Sequence, residues 1–444
     1  MPADLDDMLA QLGRDADSIP LAGAPHARQR GRQRTHRQAG VSAALAVCLV
    51  AVGVGVALYR PHRETDRTVS PTPSSRALTE VGSPVNTGGP ASSVAQAVRD
   101  GKLFSAWVTP GGEMYLNAAD LHTGAVLWDI AERAGAVTDV RALPGAVMVR
   151  VERSVAFYDP ANGDTIRRFQ VDDADELVPY DNVLVRLSAS NGQVVARDLR
   201  TGRPAWSDTS HPTARVLSDG DRLIQVTKAG QILVRNAAAG TVLRTITPAK
   251  PPGSQFLIAG GRLFHETIPC CDTAAYRIVA TDLTTGKSDV ILSAGPERFI
   301  GMDACGTNRL CILDAGPQNT RRVTALDVVS RRQLWRSPAP DSSAGISANG
   351  ENVLVGGPGT TAVLLAPDGS SSFRTPDASV SWLGDDKLLM TPALAAGPVT
   401  TYGIADRRLT RLGDLPRRIG PCVNTADRLA CPTEDSLRLW SLTG

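Results

Sequence analysis

The chain has 444 residues, of which 42% are hydrophobic but only 4% aromatic. Its 47 Lys and Arg stand against 45 Asp and Glu, a formal charge of +2. A balance this even offers no global attraction for nucleic acid, and an aliphatic composition poor in rings suits a strand-rich fold larger than one small domain.

Residues 1–38 contain one short amphipathic helix by pattern. Leu5, Met8, Leu9 and Leu12 fall at i, i+3, i+4 and i+7, and Gly13 ends the run. Such a stripe is too small for a domain but could dock on a partner. Residues 39–59, AGVSAALAVCLVAVGVGVALY, hold 21 residues without a charge. A helix of that length rises about 30 Å, enough to cross a bilayer. Arg28, Arg30, Arg32, Arg34 and Arg37 precede it, which predicts a single-pass plasma-membrane protein with its N-terminus inside. The run carries no clear small-x-small cleavage site, and Val47 is bulky for a lipoprotein site at Cys48. Residues 60–92 are rich in Pro, Ser, Thr and Gly and read as a flexible, disordered linker.

From residue 93 to 444 one motif returns. It runs DLHTG (120–124), DPANG (159–163), DLRTG (198–202), NAAAG (236–240) and DLTTG (282–286), then weakens to DVVSR (327–331), LAPDG (365–369), GIAD (403–406) and WSLTG (440–444). Most spacings are 37 to 39 residues, with 46 and 45 around Gly286. A period near 40 with four short β-rich runs per unit is the mark of a propeller blade. Asp120, Asp159, Asp198 and Asp282 can accept hydrogen bonds from amides within the turn, while Gly124, Gly163, Gly202 and Gly286 supply positive φ. Four residues after the turn position, Trp128, Trp206, Trp335 and Phe373 put a large ring on the outer strand, where it can cover the gap to the next blade. Nine turns give eight turn-to-turn intervals, which points to eight blades, with seven or nine as the alternatives. The last repeat lacks an outer strand, so the ring is expected to close with a strand from near the N-terminal end.

The pattern Ala-x-Asp-x-x-Thr-Gly-x-x-x-Trp, carried by NAADLHTGAVLW and VARDLRTGRPAW, resembles the blade signature of the PQQ-like (quinoprotein alcohol dehydrogenase-like) β-propeller repeat. The resemblance spans roughly residues 93–444 and implies an all-β propeller. It implies little about function, because the same repeat serves dehydrogenases, assembly scaffolds and anchored proteins alike.

Six cysteines follow the apolar span: Cys270, Cys271, Cys305, Cys311, Cys422 and Cys431. An even number outside the cytoplasm reads as disulfides. CGTNRLC and CVNTADRLAC each place two cysteines across a short turn, which suggests structural bridges Cys305–Cys311 and Cys422–Cys431. Some quinoprotein dehydrogenases hold an adjacent-cysteine disulfide against PQQ, so Cys270–Cys271 raises that chemistry. The stacking tryptophan, calcium ligands and catalytic aspartate of such a site do not align here.

No catalytic, cofactor-binding or metal-ligating residue is therefore assigned, and no cofactor is expected; PQQ with calcium is the alternative. His122, His211 and His265 sit in three different repeats, and no HExxH, CxxC or GxSxG occurs. The reading is a membrane-anchored extracytoplasmic propeller that binds or scaffolds a protein or surface ligand without catalysis. The alternatives are a transmembrane signalling protein working through residues 1–38, and a PQQ-dependent dehydrogenase.

Overall fold

In the first repeat the two middle strands are almost wholly buried, and the first and last are not. Lys102–Val108 and Glu113–Asp120 carry apolar residues on both faces, whereas Ser93–Arg99 and Val126–Arg133 are half-covered or exposed. A sheet sandwiched between two others buries both faces of its central strands, so they lose the alternation of a half-buried strand. Four antiparallel strands make each unit, and in all but the last they follow one another in chain order.

The computed structural model describes residues 72–73 and 78–443, except 88, 181, 250–251, 268–275 and 296. All of them belong to one unit, Val69–Gly444. The apolar run 39–59, the Leu5–Leu12 stripe and Cys270–Cys271 lie outside the described residues. No helix among the described residues is long and apolar enough to cross a membrane.

Among the described residues the strands form seven sheets of one unit each and an eighth sheet of two. In that double sheet Ser371–Trp382 serves both units: its first half pairs with Thr360–Leu365 and its second with Lys387–Pro392. The chain turns between the halves at Pro376–Asp377, where Asp377 takes a φ of 46°. Among the described residues nine four-stranded blades result, numbered in chain order: 93–133, 137–170, 176–208, 213–246, 256–293, 298–338, the two halves of the double sheet from Gly345 to Leu415, and 423–441. Counting intervals between turns falls one short, because each of the nine turns belongs to a blade of its own.

Nine apolar clusters fill the nine joints. Phe104, Leu116 and Trp128 meet Val147 and Tyr158 between blades 1 and 2. The series continues joint by joint to the cluster of Leu389, Val399, Leu429 and Trp440 between blades 8 and 9. A ninth cluster joins Leu437 and Leu439 of the last blade to Leu103 and Leu121 of the first, so the ring is closed. Each fully buried Leu or Val in these joints contributes about 1.5–3 kcal/mol, which makes the joints the main source of stability.

The closure comes from the segment read as a linker. Thr79–Glu80 pairs antiparallel with Ser441 and Trp440, and Val85–Asn86 pairs with Leu437 and Ser436 on the same strand. Residues 78–87 are thus the outer strand of blade 9, as ring closure required, and the linker reading of 60–92 fails for them. Polar, Pro-rich composition cannot make a core, but a strand edge asks only for backbone hydrogen bonds. Further upstream, Thr72–Pro73 lies parallel to Thr410–Arg411 at the outer edge of blade 8.

Candidate functional site

The repeated turn is structural. Asp120 Oδ1 accepts hydrogen bonds from the amides of His122 (2.9 Å) and Thr123 (2.7 Å) and from the Thr123 hydroxyl (2.9 Å). Asp198 repeats this with Thr201, and Asp282 with the amides of Thr284 and Thr285. Asp159 accepts from the Ala161 amide. The Thr123 and Thr201 amides, with help from their hydroxyls, hold the carboxyls of Asp120 and Asp198 below the ordinary aspartate range. Gly124, Gly163, Gly202 and Gly286 all take positive φ; where the motif decays, Arg331 (φ 59°) and Arg407 (φ 53°) adopt the same conformation without glycine.

The tryptophan and the glycine belong to one device shared between neighbouring blades. Trp128 lies against Gly163 of the next turn, where an added Cβ would come within 2.8 Å of the ring. Its Nε1 donates to the Pro160 carbonyl at 3.2 Å. Trp206 does the same over Gly240, donating to Ala237 at 3.0 Å, and Trp335 over Gly369, donating to Pro367 at 2.8 Å. Two residues missed in the sequence fill the same place in other joints: Arg167 lies beside Gly202 and donates to Arg200, and Arg244 donates to Thr285. A flat guanidinium can cover a turn and donate to a carbonyl much as an indole does. Phe373 instead stacks on Tyr402, 4.2 Å between centroids.

Cys305–Cys311 and Cys422–Cys431 are both disulfides, with Cα separations of 5.7 and 4.3 Å. Each ties the hairpin between the first two strands of its blade.

Two buried polar networks were not legible in the sequence. At the joint of blades 3 and 4, Asp208 at the end of the blade 3 outer strand accepts from Arg235, from Gln225 (3.0 Å) and from Ser210 (2.8 Å), and lies 3.0 Å from His211 Nδ1. Burial works to raise the Asp208 pKa; the hydrogen bonds from Gln225, Ser210 and His211 and the charge of Arg235 outweigh it and hold the carboxyl far below its usual range. Arg235 also lies 5.8 Å over the Trp206 ring and donates to the Gly240 carbonyl, so the network braces that joint. Ser210, His211 and Asp208 are not a catalytic triad. Ser210 Oγ contacts Nδ1 at 3.1 Å, the nitrogen that already faces the carboxylate, and one nitrogen cannot relay a proton between them. In blades 5 and 6, Asp314 receives the Tyr276 hydroxyl (2.9 Å) and Arg322 (2.8 Å), and Arg322 also pairs with Glu297. No group of three or more His, Cys, Asp or Glu among the described residues is placed to hold a metal ion.

What remains as a candidate binding surface is the wall of inner strands, and it has two unlike arcs. On blades 2 to 4, Arg141 contacts Asp139 at 2.6 Å and donates to the Leu177 carbonyl, and Arg215 lies 3.6 Å from Glu176. Burial raises the Glu176 pKa against the pull of Arg215 and Arg141. Inner strands Phe256–Ala259, Arg298–Ala304 and Gly345–Asn349 are mostly apolar. A cleft of about 240 Å³ opens there beside Ile346, Ser347, Gly356, Gly357, Ser379 and Val380. Its volume is below the roughly 300 Å³ at which pockets for drug-sized ligands begin, and suits one apolar side chain.

A family profile described as "Outer membrane protein assembly factor BamB" matches residues 62–216 and 190–289, just over half of the chain. No curated protein matches the sequence. Among solved structures the chain is similar to BamB from Moraxella catarrhalis, at 12% identity over 71% of this chain and 95% of that one, with a TM-score of 0.44. It is also similar to the computationally designed Ika8 protein (12% identity, 82% and 100% covered, TM-score 0.47) and to Saccharomyces cerevisiae Sqt1 (10% identity, 77% and 100% covered, TM-score 0.48).

Proposed function

This chain belongs to the PQQ-like β-propeller repeat family, and from that premise we propose that it is a non-enzymatic binding and scaffolding module held outside the plasma membrane by the apolar span at 39–59. Its partner is a protein or surface polymer that engages one mouth of the ring. The observation that carries this reading is the two-sided inner wall, charged at Asp139, Arg141, Glu176 and Arg215 and apolar around the Ile346–Val380 cleft. A ligand seated across it would be fixed in orientation by charge on one side and anchored by one apolar group on the other.

The test is crosslinking and affinity capture from native membranes. It compares the full chain, a version lacking residues 2–27, and a full-length Arg141→Glu/Arg215→Glu variant. A partner kept by the deletion but weakened at least tenfold by the double substitution supports the reading. A cytoplasmic regulator lost only with the deletion replaces it with transmembrane signalling through the Leu5–Leu12 stripe. Capture unaffected by the double substitution removes the inner wall as the binding surface.

A further inference from the structure

The two disulfides stand in opposite electrostatic surroundings. Cys305 and Cys311 are both fully buried, and the arginine in their hairpin is already engaged: Arg309 pairs with Glu351 at 3.4 Å and donates to the Pro367 carbonyl. Beside Cys422–Cys431 lies Arg418, only 3% exposed, with Nη1 2.6 Å from Cys422 Sγ and Nη2 2.7 Å from the Ala393 carbonyl. Its Nε is buried without a partner, and no carboxylate among the described residues lies within ion-pair distance of it. The nearby Glu434 pairs with the exposed Arg417 instead, at 3.5 Å. Burial pulls the Arg418 pKa below the ordinary arginine value, and no neighbouring charge pulls it back.

A cation held out of water without a counter-charge is costly, so a state of the protein that supplies one is favoured by that interaction. The group at hand is Cys422. As part of a disulfide its sulfur is neutral; on reduction it becomes a thiol whose anion the guanidinium would stabilise. Cys422 is also the partly exposed member of the pair, while Cys431 is fully buried.

We propose that Cys422–Cys431 is an exchangeable dithiol–disulfide centre, that Arg418 is the positioning residue holding its Cys422 thiolate, and that its partner is a dithiol donor. In the first step a donor thiolate bonds to Cys422 Sγ. The Cys422–Cys431 bond breaks, and Cys431 takes the electron pair and a proton. In the second step the donor's other thiolate attacks its own bridged sulfur and becomes oxidised to a disulfide. Cys422 leaves as a thiolate against Arg418. Two electrons pass from donor to protein, and the donor's two protons are divided between Cys431 and solvent.

The reduced centre frees the hairpin of blade 9, whose inner strand is only Val423–Asn424. That places the exchange at the ring's closing blade.

The test uses the oxidised full-length chain equilibrated, from both directions, in dithiothreitol buffers of graded reduced-to-oxidised ratio. Differential alkylation and peptide mass spectrometry then score each pair separately. Cys422–Cys431 should be half-reduced at a ratio at least tenfold lower than Cys305–Cys311, about 30 mV in potential. Arg418→Gln should erase most of that difference and raise the pH midpoint of Cys422 alkylation, Arg418→Lys should restore both, and Cys305–Cys311 should not move. Equal ratios for the two bonds in the unaltered chain, a comparison needing no variant, would overturn the proposal. So would an Arg418→Gln protein, with Cys305–Cys311 unchanged, in which the Cys422 pH midpoint stays put.

Discussion

Blades 3 and 4 and blades 9 and 1 solve one packing problem by different means. Between blades 3 and 4 a side chain does the work: Trp206 covers Gly240 and donates to the adjacent carbonyl. Between blades 9 and 1 the equivalent glycine is Gly124, and what lies on it is backbone. An added Cβ there would fall 2.5 Å from the Val81 carbonyl oxygen and 2.9 Å from Gly82 Cα. The outer strand at the seam comes from residues 78–87, which bring no tryptophan to that place. Other groups complete the joint: Arg428 donates to the Leu121 carbonyl at 2.9 Å, and Trp107 donates to the Thr87 carbonyl at 3.0 Å. The repeat specifies a turn that must be covered, and either a ring or a strap of main chain will serve.

The largest expected effect comes from removing the strap. Deleting residues 78–87 strips the outer strand from blade 9 and removes the Val81 and Val85 side chains that pack on the closing cluster. It should cost about 5 kcal/mol or more and split the unfolding transition, read by urea denaturation followed through tryptophan fluorescence.

Next come the glycines. Gly240→Ala adds a clash with Trp206 to a positive φ of 69° and should cost about 3 kcal/mol. In a Trp206→Ala background the same substitution should cost only about 1 kcal/mol, the backbone strain alone. Gly124→Ala should cost as much, yet no single side-chain truncation should relieve it, because its obstacle is a carbonyl. A truncation that rescued Gly124→Ala would show the two joints to be alike after all.

Smaller effects probe the regular joint alone. Trp206→Phe keeps a ring but leaves the Ala237 carbonyl without its donor, for a loss of about 1 kcal/mol in denaturation midpoint measurements. The pH dependence is gentler still. The folded pKa of Asp208 lies below its unfolded value of about 3.9, so its contribution is complete above that value and is lost as pH falls below it. Asp208→Asn should flatten the acid limb of the stability profile by up to about one proton, with little change in slope between pH 5 and 7.

The turn, the glycine and the tryptophan were legible because each acts within a few residues of itself or at a fixed offset. Asp120 and Thr123 settle their own turn, and Trp128, four residues past the turn glycine, announces the outer strand. Arg167 and Arg244 were not legible in the same role, since an arginine on an exposed strand reads as a solvated charge until a neighbouring turn is placed beneath it. The strap escaped because two-residue strands have no period and draw their order from the edge they meet. The inner wall escaped for a related reason: Asp139, Arg141, Glu176 and Arg215 come from three repeats and make no motif in any one of them. Arg418, likewise, is one of many arginines near a turn until its burial and missing counter-charge are seen.

The pairing of Glu80 with Trp440 also sets the order of assembly. About 360 residues separate the partners, so the strand of residues 78–87 must wait until blade 9 has been synthesised. Blades 1 to 8 can dock one upon the next as they emerge, each burying its cluster against a finished neighbour. Blade 9 cannot be completed that way, because its outer strand left the ribosome first. Until the closing step the arc carries two bare ends, the face of blade 1 and the edge of Ser436–Ser441. A chain interrupted before that strand holds a row of unsatisfied amides and carbonyls in residues 78–87, which is the segment most ready to pair with the wrong copy.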